Sequence, residues 1–233
     1  RPLMKVVCDR AALLEAINLV SGVVATRTPR PQLSCVKLTA AKQGKGGTLT
    51  LAATDAEISL RLQVDQVDIE QPGEALIPAD KLRQIVSAED NEPTLTLEAD
   101  GDTVDIRGED AHFKVYGHPP EDFPATGDFK AAVAGGTGAP AAKAVFSHPV
   151  ESLSELIART LFATARENTR YAINGVLLNR EGKKIEMVAT DGRRLARCRA
   201  SLTQKDGPSV KCIVPTKALN QLQKLLGGAD GDV

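Results

Sequence analysis

The chain has 233 residues, 42% apolar and 25% charged, with 29 bases against 30 acids and a formal net charge of −1. These values exclude a disordered chain and a bulk basic nucleic-acid binder, so any basic surface must be locally sorted. No apolar run reaches the roughly 18 residues of a membrane span, and with 5 Phe, 2 Tyr and no Trp the core is aliphatic and base-stacking platforms are scarce.

From the N-terminus, KVVCD (Lys5 to Asp9) reads as a short strand, and Asp9 caps the helix that follows. CVKLTAAKQGKGGTLTLAA from Cys35 predicts a hairpin with a glycine-rich loop. EISLRLQV from Glu57 predicts a further strand, with Asp55 and Ala56 in the turn before it. Pro78 opens a second helix, and TLTLEAD and DAHFKVYG add two strands. Residues 130–144, KAAVAGGTGAPAAKA, are Ala/Gly-rich and read as a linker. Their Gly135-Gly136-Thr137-Gly138 is no phosphate loop, because no Gly-Lys-Ser/Thr follows.

Beyond the linker, AVFSH (Ala144 to His148) reads as a strand, and Ser152-Leu153-Ser154-Glu155 as a capping box. Leu153, Leu156, Ile157, Leu161 and Ala165 share one helix face, with Glu155, Arg159 and Arg166 away from it. GVLLNREGKKIEMVAT predicts a hairpin about Glu181-Gly182. Pro215 opens the last helix, with Leu219, Leu222, Leu225 and Leu226 inward and Gly227 as its C-terminal cap. Lys217, Asn220, Gln221 and Lys224 recur at i, i+3, i+4 and i+7 and form a polar, basic stripe.

The two halves repeat one another. Leu13, Ile17 and Leu38 match Leu153, Ile157 and Leu178; Ala53-Thr54-Asp55 matches Ala189-Thr190-Asp191; Pro78 matches Pro215. Three matches in one order, each 136 to 140 positions apart, predict a duplicated domain. The second copy runs only 18 residues past Pro215, so it is expected to be incomplete.

Chemistry of the catalytic or metal-binding kind finds little support. Cys8, Cys35, Cys198 and Cys212 lack zinc-type spacing and read as buried free thiols of a reducing, cytoplasmic compartment. His112, His118 and His148 share no ligand spacing, and no cofactor motif is present. Glu109-Asp110 and Glu121-Asp122 fit solvated turns. The repeated Thr-Asp leaves open a pseudo-symmetric enzyme using Asp55 and Asp191, but it fits better a turn in which each carboxylate binds its own backbone. A repeat-built adaptor that does not touch DNA is a third possibility.

Across nearly the whole chain, MKVVCDRAALLEAINLVSGVVATRT, LAATDAEISL, IPADKLRQIV, TRYAINGVLL, VATDGRRLA and IVPTKALNQL resemble the β sliding clamps, the DNA polymerase III beta subunits of bacteria. TRYAINGVLL followed by VATDGRRLA is the most specific of these. The resemblance implies an α+β DNA-clamp fold of tandem pseudo-symmetric domains, each with two helices packed on antiparallel sheets. It implies domain 1 over 4–129, a linker over 130–144 and an incomplete domain 2 over 145–233, with the family's third domain absent. The implied function is a non-catalytic processivity factor without cofactor. As a homodimeric ring when full length, it encircles duplex DNA without reading sequence and tethers polymerase, clamp loader and repair proteins through short peptides.

Residue by residue, Arg27 and Tyr171 fall on DNA-contacting positions of the family. Three such positions depart, as Asp80, Glu167 and Ala172, and the adjacent Lys81, Arg166 and Arg170 are the expected compensation. The family's partner-peptide pocket maps onto Ile173, Thr190, Gly192, Arg194 and Leu195, with Arg193 in place of a common histidine.

Overall fold

The structure, a computed structural model, describes residues 3–43, 46–127, 133, 145–165, 174–201 and 207–233. The chain divides into two compact units, Arg1–Thr126 and Gly127–Val233.

Unit 1 opens with β1 (Met4–Asp9), whose alternating burial places Met4, Val6 and Cys8 inward. The Asp9 carboxylate accepts from the Ala12 N–H at 2.8 Å and caps α1 (Arg10–Val20), an arrangement worth about 1 kcal/mol. A 3-10 turn at Pro31–Ser34 leads into β2 (Cys35–Gln43), β3 (Gly46–Thr54), β4 (Ser59–Val64), β5 (Val67–Gln71) and β6 (Gly73–Pro78). After Pro78, α2 (Ala79–Ala88) is followed by β7 (Thr94–Asp100), β8 (Thr103–Arg107) and β9 (His112–Tyr116). Two antiparallel sheets result, in the orders β5-β1-β7-β8-β9 and β4-β3-β2-β6.

Both helices of unit 1 bury one face in the shared core: Leu13, Ile17 and Val20 of α1, and Leu82 and Val86 of α2. The Arg10 guanidinium donates to the carbonyls of Glu92 (3.1 Å) and Val86 (3.3 Å). This joins the start of α1 to the end of α2. Beyond β9 the chain crosses to the second sheet. A Cβ at Gly117 would lie 2.0 Å from the Leu76 carbonyl oxygen, which accepts from the His118 N–H at 2.9 Å. Only glycine permits that approach.

In unit 2, α3 (Val150–Leu161) precedes β10 (Gly175–Gly182), β11 (Lys184–Thr190), β12 (Leu195–Ser201), β13 (Gly207–Pro215) and α4 (Thr216–Leu226). The sheet order β12-β11-β10-β13 repeats β4-β3-β2-β6. Register repeats as well: Cys35 pairs with Pro78 and Gly175 with Pro215, while Thr54 pairs with Ser59 and Thr190 with Leu195. The core is a separate cluster that includes Leu156, Ile157, Val176, Ile185, Met187, Leu219 and Leu226.

Several expectations are corrected. AVFSH forms no strand. β1 lies between β5 and β7, whereas the described pairing of this segment is with the chain end, through His148–Val233 backbone bonds of 2.7 and 2.9 Å and a Pro149–Asp232 bridge. The capping box does not form, because α3 starts earlier, after Pro149. Ser152 Oγ instead meets His148 Nε2 at 2.9 Å, and Glu155 pairs with Arg159 at 2.6 Å. Gln221 is not on the polar stripe's exposed surface but buried. Gly227 is the C-terminal cap of α4 as expected, though extended (φ −62°), and the left-handed residue is Gly228 beside it (φ 81°). Unit 1 has three strands after α2 where two are expected, and β5 has no sequence counterpart among the predicted elements. Only Cys8 and Cys35 are buried; Cys198 is half-buried and Cys212 exposed.

Candidate binding sites

The two Thr-Asp turns are built alike. Asp55 Oδ1 accepts from the N–H groups of Glu57 and Ile58 at 3.0 and 2.9 Å; Asp191 Oδ1 accepts from Arg193 and Arg194 at 3.0 and 2.9 Å. Thr54 Oγ1 donates to the Ile58 carbonyl and Thr190 Oγ1 to the Arg194 carbonyl, both at 2.8 Å. The residue between has positive φ in each, Ala56 at 76° and Gly192 at 86°. Both carboxylates are occupied by backbone donors. Those N–H groups, and then the Arg194 side chain, hold the Asp191 carboxyl below its ordinary range.

At the second turn, Thr190, Gly192, Arg193, Arg194 and Leu195 are brought together, and Ile173 lies outside the described residues. Arg194 is the organising side chain. Its Nε donates to Asp191 Oδ2 at 2.9 Å, its Nη2 to the Phe162 carbonyl at 2.8 Å, and its guanidinium lies 5.6 Å from the Phe162 ring centroid. The turn is thereby tied to the end of α3. Leu195 is 66% exposed and Phe162 60% exposed, so the turn presents two large apolar side chains to solvent, one of them against a fixed cation. Arg193 is exposed beside them.

The second surface is the helix pair of unit 1. Between α1 and α2 runs a groove of about 390 Å3 lined by Asn18, Arg83, Gln84, Ser87 and Ala88. On the other flank of α2, against β9, Asp80 and Lys81 line a groove of about 570 Å3 with Ile85, His112 and Tyr116. Lys81 Nζ lies 3.8 Å from the Asp80 carboxylate. Arg27 is exposed in the segment after α1. Tyr171, Arg166 and Arg170, with Glu167 and Ala172, fall outside the described residues. Of the DNA-contact candidates, then, Arg27 and Lys81 are described, and no direct contact joins them.

A family model described as the DNA polymerase III beta subunit, N-terminal domain, matches residues 4–127, and one for the central domain of the same subunit matches residues 148–233. The chain belongs to the DNA polymerase III beta subunit family. It is 35% identical over 227 residues to the beta sliding clamp of Pseudomonas aeruginosa, covering 97% of this chain and 57% of that protein. It is 31% identical to that of Escherichia coli, covering 97% and 58%. Among solved structures, the Bacillus subtilis DNA polymerase sliding clamp matches with a TM-score of 0.83 at 26% identity, over 99% of this chain and 58% of that one. A P. aeruginosa sliding clamp bound to griselimycin matches with a TM-score of 0.81 at 31% identity, with the same coverage. The chain thus spans under two thirds of the length of these clamps.

The α+β clamp fold follows, and two features of this clamp chain escape the sequence reading. Phe162 is not among the expected pocket residues; its signal is a phenylalanine off the apolar face of Leu153, Leu156, Ile157, Leu161 and Ala165, exposed at the C-terminal cap of α3. Arg83 is the other. Shifted by 137 positions, the stripe Lys217, Asn220, Gln221 and Lys224 of α4 becomes Asp80, Arg83, Gln84 and Ser87 of α2, so the repeat itself marks the position. Among the described residues no helix is long and apolar enough to cross a membrane, and no three His, Cys, Asp or Glu are grouped to hold a metal.

Proposed function

We propose that this chain is part of a DNA sliding clamp, a non-catalytic cytoplasmic processivity factor. The longer protein closes as a homodimeric ring around duplex DNA, and tethers the replicative polymerase, the clamp loader and repair proteins through short peptide motifs. The observation that carries this reading is the succession of two beta-subunit models, N-terminal then central, over the two units in order. Domain 1 is assigned to 4–129, the linker to 130–144 and domain 2 to 145–233.

Charge sorting supports the reading. On the strands of unit 1, Lys5 lies 3.0 Å from Glu70 and 3.2 Å from Glu98, Lys37 2.9 Å from Glu74, and Arg107 3.7 Å from Glu98. The strand faces therefore neutralise their bases locally, leaving Arg27 and the helix pair to meet an anion. Phosphate contact of this kind is independent of sequence, and retention by a closed ring needs no high net charge. DNA contact is assigned to Arg27, Arg166, Arg170 and Tyr171, and peptide anchoring to Ile173, Thr190, Gly192, Arg193, Arg194 and Leu195, with Phe162 added. The unpaired outer edge of β9, the last strand of its sheet, supports closure by strand addition across subunits. Enzymatic use of Asp55 and Asp191 is disfavoured, because their carboxylates are already bonded to backbone donors.

The test is topological. The longer protein, loaded onto nicked circular plasmid by its loader, should stay bound through a high-salt wash and leave when the plasmid is linearised. Retention on linear DNA, or no retention on circles, would overturn the reading.

A further inference from the structure

The family position occupied by Asp80 has lost its base, and Lys81 does not replace it in space. Asp80 and Lys81 both line the α2 flank that faces β9, and they lie 3.8 Å apart, so their charges offset one another. The groove between α1 and α2 is different. It is lined by Asn18, Arg83, Gln84, Ser87 and Ala88, with no carboxylate in its wall. Arg83 is exposed there, and among the described residues no acid pairs with it, in contrast to Lys5, Lys37 and Arg107 on the strands.

We propose that Arg83 is the phosphate-contacting residue of the unit 1 helix pair, flanked by Asn18, Gln84 and Ser87 as uncharged donors, and that Lys81 is not. This deepens the clamp reading and rests on it. Arg83 sits one helical turn after Asp80, which displaces the contact along α2 without moving it off the helix pair. Its counterpart in α4 is Asn220, while Asp80 and Ser87 have Lys217 and Lys224 as counterparts, so the stripe carries one base in unit 1 and two in unit 2. A guanidinium suits the role, because its planar fork can bridge two phosphate oxygens and remains charged at any working pH.

The test is equilibrium binding of the 233-residue chain to a short duplex of arbitrary sequence, followed by anisotropy between about 50 and 200 mM salt. Each phosphate contact contributes about 0.9 to the slope of log K against log salt. R83Q should lower that slope by about one such contact, R83K should restore most of it, and K81Q should leave it unchanged. Circular dichroism on each variant establishes that the fold is kept. If K81Q or Arg27→Gln lowers the slope and R83Q does not, the assignment to Arg83 is wrong while the DNA reading stands. If the parent chain binds duplex with no salt dependence, or not at all, the helix pair is not a phosphate-contacting surface and the assignment to Arg83 is wrong, while the clamp reading is decided by the plasmid experiment.

Discussion

Units 1 and 2 share the four-stranded sheet order, the strand registers and the Thr-Asp turn, yet they differ in the charged and polar groups they gather. In unit 1, Phe123, Pro124, Ala125 and Thr126 lie over Lys37, Thr50, Arg61 and Glu74, and Arg61 Nη2 donates to Thr126 Oγ1 at 3.1 Å. On the matching face of unit 2, beside a groove of about 720 Å3, Arg197 and Arg199 converge on Glu186. The units differ inside as well. Unit 2 buries His148, Arg180 and Gln221, whose Nδ1, Nε and Nη1, and Oε1 atoms lack partners, whereas in unit 1 only Ser21 Oγ does so among the described residues. A duplicated sheet keeps its registers because each pair of strands fixes the next.

The largest effect should come from the cores. Ile17 and Ile157 are corresponding, fully buried residues in separate clusters. Ile17→Ala should destabilise unit 1 by about 2–5 kcal/mol, and Ile157→Ala should do the same to unit 2. Urea unfolding followed by hydrogen exchange in each unit reads this out. Equal destabilisation of both units by either change would mean the cores are energetically one, and the comparison would collapse.

The twin turns come next. Asp55→Ala removes the acceptor of two backbone N–H groups and should cost about 1–2 kcal/mol. Asp191→Ala breaks the same pair and also releases Arg194 from Asp191, so it should weaken binding of a leucine-containing clamp-motif peptide by the longer protein, while Asp55→Ala should not. Isothermal titration decides between them. Equal loss of peptide affinity in both variants would make the turns a structural device only. The Asp191 carboxyl is held below its ordinary value of 3.8. Its contribution is therefore complete above that value and is lost as pH falls through the lower, folded value.

How much was legible beforehand follows the same division between local and distant signals. Asp9, Pro78, Pro215, Gly182 and the Thr-Asp pairs act on residues within four positions of themselves, and each does in the structure what its type suggests. AVFSH has the composition of a strand, but a strand is made by its neighbours. Gln221 has a polar side chain at a stripe position, yet the packing around α4 buries it. The Ser152–Glu155 pattern was a valid cap signal overridden by a helix that begins at Val150. At the site, Arg194 and Leu195 could be read from motif matching. Phe162 could not, because its link to Arg194 spans 32 positions.

A smaller effect concerns acid. Burial, and then the charge of Arg180, hold the His148 imidazole below its ordinary value of 6.5, with Asp232 opposing them. A base with a lowered folded value stabilises the fold fully above 6.5, and that contribution is lost as pH falls below it. Unit 1 has no buried histidine to match. Between neutral and mildly acid pH, unit 2 should lose stability and unit 1 should not, and His148→Gln should flatten the difference. An unchanged pH profile in that variant would remove His148 from the account.

The smallest effect leaves stability untouched and reads only exposure. Cys8 and Cys35 lie buried in unit 1, and burial raises their thiols to about 12 and about 11. For Cys8 the neighbouring Asp9 adds to that rise; for Cys35 a hydrogen bond with Ser34 opposes it and Asp80 adds to it. Since the thiolate is the reactive form, both should resist alkylation in mildly alkaline buffer. Cys212 is exposed and Cys198 half-buried, both on unit 2 strands. Timed alkylation with peptide mass mapping should therefore label Cys212 first, then Cys198, and reach Cys8 and Cys35 only when unit 1 unfolds. In Ile17→Ala the unit 1 thiols should become reactive at lower urea while Cys212 keeps its rate. If Cys8 labels as fast as Cys212 in the unaltered protein, Cys8 is not held in the unit 1 core.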